Sequence, residues 1–191
     1  LTLDALLVSL ALVLSIVERW IPLELLVPVP GVKLGLANIV TLFALLRLRP
    51  ADALAILAVR SLALGVISGP TTMLFSFSGG LLALLMMWLL RFGHGRAFSV
   101  IGISLAGAAA HNIGQVAVAS LILNEPLLLL LYLPPLLLTG LATGTLTGVA
   151  AYPVIRRFPI LTGAVGPHPA AGLVTQDSRQ PADSRAKEET P

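Results

Sequence analysis

Long apolar runs alternate with short polar breaks along the chain. A bilayer core about 30 Å thick needs ~20 mostly apolar residues per helix. Reading for such runs predicts six spans, at residues 3–21, 32–48, 51–68, 73–92, 97–123 and 127–155. The runs are rich in Leu and Ala and unbroken, whereas strands of a membrane barrel alternate over ~10 residues, so helices are expected throughout. The first run is too long for a signal peptide and no small-residue cleavage site follows it. Arg47, Arg49, Arg91, Arg96, Arg156 and Arg157 fall on one side of these spans. Arg19 and Lys33 fall on the other, diluted by Glu18, Glu24 and Glu125. Positive charge favours the cytoplasmic face, which predicts both termini inside. The expected fold is an all-α integral membrane protein, a six-helix, N-in/C-in bundle over residues 1–158. Its expected location is the inner (plasma) membrane, as a multi-pass protein.

Composition narrows the choice further. The chain is 57% hydrophobic and 11% charged, against about 45–50% and 25% in soluble domains, which excludes an ordinary soluble fold. Cysteine is absent, which removes disulfides, thiolate metal sites and Cys nucleophiles. A net charge of +3 would hint at nucleic acid in a soluble domain. Here the basic residues cap apolar runs, so they read as topology and no nucleic-acid partner is expected. Residues 159–191 are rich in Pro, Gly, Ala and polar residues without apolar periodicity, and are expected to form a disordered cytoplasmic tail. Segment 18–33 contains Pro22, Pro28 and Pro30, which forbid a regular helix across it. It reads either as a lid over the outer face or as a stiff connector.

Small residues recur at four-residue spacing: Gly140, Gly144 and Gly148 beside Thr139, Thr143 and Thr147; Gly102, Ala106, Ala110 and Gly114; Ser61, Gly65 and Gly69. Helices in lipid approach closely through such faces, so packing is the first reading. The Thr row could also line a polar pocket. In the first span, Ala5 and Ser9, and Ala11 and Ser15, are likewise four apart. Such a face suits a partner helix or the bundle interior.

Intramembrane polar groups are costly and each needs an explanation. Arg60 lies nine residues into the third span, about 14 Å at 1.5 Å per residue. Asp4, Glu18, Glu24, Asp52 and Glu125 all sit near span ends or in loops, so no carboxylate partner is evident for Arg60. It is expected to bind backbone carbonyls, to snorkel, or to hold an anionic ligand. His111 and Gln115 share a face of the fifth span, with Asn112 beside them. They suit either interhelical hydrogen bonds or ligand contact. Asn38 in the second span and the Ser/Thr/Gly-rich start of the fourth add polar groups on the outer side. Convergence of four spans suggests a pocket open to the outside. The candidate substrate-binding residues are Arg60, His111, Asn112, Gln115, Asn38 and Lys33. A lone His with amides lacks the donors of a metal site, and no cofactor is expected. Neither Lys33 nor Lys187 lies in a phosphate-binding G-x-x-x-x-G-K-[ST] loop. Asp4 and Asp52 are the only aspartates before residue 159, so there is no Asp-rich cluster to hold Mg²⁺ on a diphosphate. Catalysis by this chain alone is not expected.

Three stretches carry a family resemblance. Val29-Pro30-Gly31-Val32-Lys33-Leu34-Gly35-Leu36-Ala37-Asn38-Ile39-Val40-Thr41-Leu42 resembles the signature of the Gx transporter family, as do Phe75-Ser76-Phe77-Ser78-Gly79-Gly80-Leu81-Leu82 and Ala110-His111-Asn112-Ile113-Gly114-Gln115. The family is also labelled heptaprenyl diphosphate synthase component I, and the resemblance covers about residues 1–158. It implies kinship with S components of energy-coupling factor (ECF) transporters. Those six-helix proteins capture a small molecule from outside, energised by a coupling protein and ATPase subunits. In that class the first helix docks its coupling protein through an Ala-x-x-x-Ala face, of which Ala11-x-x-x-Ser15 is the nearest match here. The other label implies a membrane accessory subunit of a soluble polyprenyl diphosphate synthase in isoprenoid quinone biosynthesis. The reading this favours is a substrate-binding subunit of an importer for an anionic small molecule, with the accessory role as the alternative.

Overall fold

The computed structural model describes residues 2–18, 20, 35–95 and 97–158, and the described residues are helical without a strand ladder. Lys33, most of segment 18–33 and the tail 159–191 lie outside them, and so do the lid and disorder expectations. Six α-helices follow in order: α1 (Thr2–Glu18), α2 (Asn38–Arg47), α3 (Pro50–Ser68), α4 (Pro70–Leu90), α5 (Val100–Leu123) and α6 (Leu127–Arg157). A 3₁₀ turn, Arg91–Gly93, follows α4.

Helix ends follow local chemistry. Pro50 and Pro70 open α3 and α4, where a missing N–H costs nothing. The Asp52 carboxylate accepts from the Arg49 backbone N–H at 3.0 Å, fixing the start of α3. Ser99 accepts from the Gly102 N–H at 3.0 Å, so α5 begins at Val100, three residues later than the apolar run. Asn124, left-handed at φ 52°, closes α5.

Helices α3 to α6 are long and apolar enough to cross a membrane. Helix α1 has 17 residues. The second predicted span is where the structure departs. Its described helix has ten residues, about 15 Å, half of a bilayer core. Gly35 at φ +83° breaks the backbone just before it, and a tight turn follows in which the Asn38 N–H donates to the Gly35 carbonyl at 2.9 Å. The apolar run is continuous through this point, so hydropathy overestimates the helix.

The α6 glycines lie on α5. A Cβ at Gly144 would stand 2.9 Å from Leu105 Cα and from Ala108 Cβ, and one at Gly148 would stand 2.8 Å from Ile101 Cα. Ser104 and Thr147 share a hydrogen bond of 2.7 Å across the same seam. Thr139 and Thr143 bond back to the carbonyls of Leu136 and Thr139. The Thr row therefore serves the helix and the seam, and packing is the reading that holds. Gly114 performs the same service on α4, where its Cβ would meet Ser78 O at 2.8 Å. Ala11 and Ser15 of α1 are buried within the chain, while Ala5 and Ser9 are exposed. The Ala11–Ser15 pair thus packs inside and offers no docking face of its own.

Candidate functional site

Four helices bring polar groups together within the bundle. Arg60 comes from α3, His111 and Gln115 from α5, Asn38 from the first turn of α2, and Glu18 from the last turn of α1. All five are buried. The adjacent glycines of α4 complete the wall. A Cβ at Gly80 would lie 3.1 Å from Arg60 Nη2, and one at Gly79 would lie 2.8 Å from Gln115 Cγ and 3.0 Å from His111 Cε1. Any larger residue at either position would displace these side chains, which explains two glycines in a spanning helix.

On the opposite side, Gly35 approaches His111 so closely that its Cβ would fall 2.9 Å from both His111 Cδ2 and Asn38 Nδ2. The Gly35 N–H donates to the Glu18 carboxylate. That contact ties the end of α1 to the turn that begins α2. His111 Nε2 and Gln115 Nε2 lie 2.9 Å apart, so the histidine nitrogen accepts from the amide. Ser61 donates to Ser76 at 3.4 Å between α3 and α4.

Glu18 corrects the sequence-based expectation for Arg60. The buried carboxylate is close enough for its charge to act on the buried guanidinium. Arg60 is thus opposed by an acid that sits at the end of a predicted span. The compensation is electrostatic: Arg60 Nε and Nη2, and both amide atoms of Asn38, have no hydrogen-bond partner among the described residues. Buried polar atoms are normally paired, and each exception calls for a water or ligand. Four such atoms in one cluster mark it as a place where a polar ligand would gain contacts.

Asn112 departs from the set. Its Nδ2 donates to the Leu136 carbonyl of α6, and a Cβ at Gly140 would lie 2.6 Å from that nitrogen. Asn112 fastens α5 to α6, while His111 and Gln115 face α4. Of the six candidates, the structure brings Arg60, Asn38, His111 and Gln115 together and turns Asn112 to the α6 seam. Lys33 lies outside the described residues. Glu18 is the residue that hydropathy missed. The signal was available: an Arg deep in a span with no acid at the same depth needs a carboxylate folded in from a span end.

Among the described residues no group of three or more His, Asp or Glu is placed to hold a metal ion. A guanidinium, a carboxylate and amides can bind and orient a polar molecule bearing an anionic group.

The model of the family described as heptaprenyl diphosphate synthase component I matches residues 7–154. Comparison with curated proteins and comparison with solved structures both yield no match. The matched region runs from the first turns of α1 almost to the end of α6 and contains every residue of the polar cluster. This chain belongs to the heptaprenyl diphosphate synthase component I family.

Proposed function

We propose that the chain is a membrane-embedded accessory component that works with a separate polyprenyl diphosphate synthase and carries out no prenyl transfer itself. The match of residues 7–154 to the component I family carries this reading. In this reading six helices lie N-in/C-in in the plasma membrane, with α2 as a half-helix that starts at mid-bilayer. The positive-inside asymmetry of Arg47, Arg49, Arg91, Arg156 and Arg157 supports that orientation. The cluster of Arg60, Glu18, Asn38, His111 and Gln115 then holds a polar, anionic ligand inside the bundle.

The test is chain elongation in native membranes. Extracts from cells lacking the chain are expected to lose elongation of a labelled prenyl diphosphate, and vesicles carrying the purified chain are expected to restore it. Unchanged elongation overturns the reading.

One observation favours a second reading. Arg60 and Asn38 present buried polar atoms that have no hydrogen-bond partner among the described residues. The same cluster suits a substrate-binding subunit of an importer, served by a coupling protein and ATPase subunits. In that case Arg60→Gln abolishes uptake of an anionic solute while leaving the chain folded. Retained uptake in the folded variant counts against it.

A further inference from the structure

Charge balance narrows what the polar cluster can hold. Among the described residues, Arg60 and Glu18 are its buried charged groups. His111 accepts at Nε2 from the Gln115 amide, so its ring is neutral. The described cluster therefore sums to zero charge. A bound monoanion would leave one negative charge uncompensated in a buried site, which is expensive. A ligand with one negative and one positive group adds no net charge.

The cluster also has two chemically different ends. At one end is Arg60, whose Nε and Nη2 have no partner among the described residues. These two nitrogens lie along one edge of the planar guanidinium and point their N–H groups in parallel. Such a fork takes both oxygens of a carboxylate. Gly80 keeps a side chain away from this end, since a Cβ there would stand 3.1 Å from Nη2. The other end is built on the turn at Gly35. The Gly35 N–H donates to Glu18 Oε1, and the Gly35 carbonyl accepts from the Asn38 N–H at 2.9 Å. Asn38 Oδ1 is a buried acceptor with no partner among the described residues. A carboxylate has about four acceptor positions, so Glu18 has capacity beyond the Gly35 N–H. The His111 ring lies between the ends, with Cδ2 toward Gly35 and Cε1 toward Gly79. Donors thus face acceptors across one imidazole.

We infer that the cluster binds a small amino acid as its zwitterion, the carboxylate on the Nε–Nη2 edge of Arg60 and the ammonium donating to Asn38 Oδ1 and the Glu18 carboxylate. This assignment rests on the reading of the cluster as a ligand site. It specifies the ligand's anionic group as a carboxylate that arrives with its own counter-charge. A quaternary ammonium has no N–H to give Asn38, and a phosphate monoester with its higher negative charge breaks the balance.

Thermal unfolding of the full chain in detergent micelles tests this. The probes are the L-amino acids of proteins, β-alanine and γ-aminobutyrate, each alongside its N-acetyl and methyl ester forms. A ligand that binds the folded chain raises the midpoint. At least one free amino acid is expected to do so. Its N-acetyl form keeps only the negative charge and its ester only the positive, so each should bind about tenfold or more weakly. Arg60→Lys keeps the charge that faces Glu18 but loses the fork, and should lose the shift. Asn38→Ala removes no charge and should weaken the shift as well, which covers an Arg60→Lys chain that fails to fold. Glu18→Gln retains an oxygen for the Gly35 N–H and leaves the cluster positive, so preference should reverse toward the N-acetyl form. A merely structural role for Glu18 would not reverse it. No shift with any free amino acid, or equal shifts with the N-acetyl forms, overturns the zwitterion. Equal shifts that Arg60→Lys removes leave the ligand site standing, whereas shifts that survive both Arg60→Lys and Asn38→Ala overturn the site as well. Synthase capture from native membranes scores the component I reading separately.

Discussion

Glu18 and Arg60 should be coupled strongly enough to measure. Both are 2% exposed, and the carboxylate's charge acts on the guanidinium. The two make no direct ion-pair contact, so removing one charge takes away a longer-range compensation of the other, at a cost of about 1–3 kcal/mol. Glu18→Gln retains an oxygen that can accept from the Gly35 N–H, so it removes the charge while keeping that contact. Arg60→Met removes the opposite charge and keeps much of the side-chain volume. Each single substitution is expected to cost about 2 kcal/mol. The double substitution leaves no uncompensated charge and should cost about 3 kcal/mol, a coupling of about 1 kcal/mol. Reversible unfolding in mixed micelles, followed by the circular dichroism of all four proteins, gives the cycle directly. Costs that add to within about 0.5 kcal/mol would refute the pairing.

Three other substitutions probe the frame. Gly144→Ala should destabilise the chain by about 1–3 kcal/mol, because the new methyl meets Leu105 Cα at 2.9 Å; an unchanged unfolding midpoint in micelles would mean that α5 and α6 are not in contact there. Gly35→Ala combines a positive φ with a Cβ 2.9 Å from His111, so a loss of at least about 2 kcal/mol is expected; a thermal melt in detergent that matches wild type would contradict the turn. Ser104→Ala should cost about 0.6 kcal/mol, since interhelical hydrogen bonds in membranes are modest; a loss above about 2 kcal/mol would show that the Ser104–Thr147 bond carries more than one contact.

Much of this organisation could be read from the residues. Apolar runs located the helices, because lipid leaves a spanning segment few alternatives. The glycine spacing of α6 announced its seam with α5, since backbone approach needs small side chains. Arg60, Asn38, His111 and Gln115 stood out because polar groups at that depth are costly. Three features stayed hidden. The length of α2 depends on the Gly35 turn, which a hydropathy window averages away. The inward placement of Glu18 goes with that same turn, since its carboxylate accepts from the Gly35 N–H. The direction of Asn112 depends on helix rotation of about 100° per residue, which separates it from His111 and sends it to α6.

The central claim is the partnership with a synthase. Affinity purification of the tagged full chain from native membranes in mild detergent, with mass spectrometry of what accompanies it, tests that claim most directly. Recovery of a polyprenyl diphosphate synthase, with prenyl-chain elongation in the eluate, is the predicted result. Recovery of a coupling protein and ATPase subunits without a synthase would contradict it.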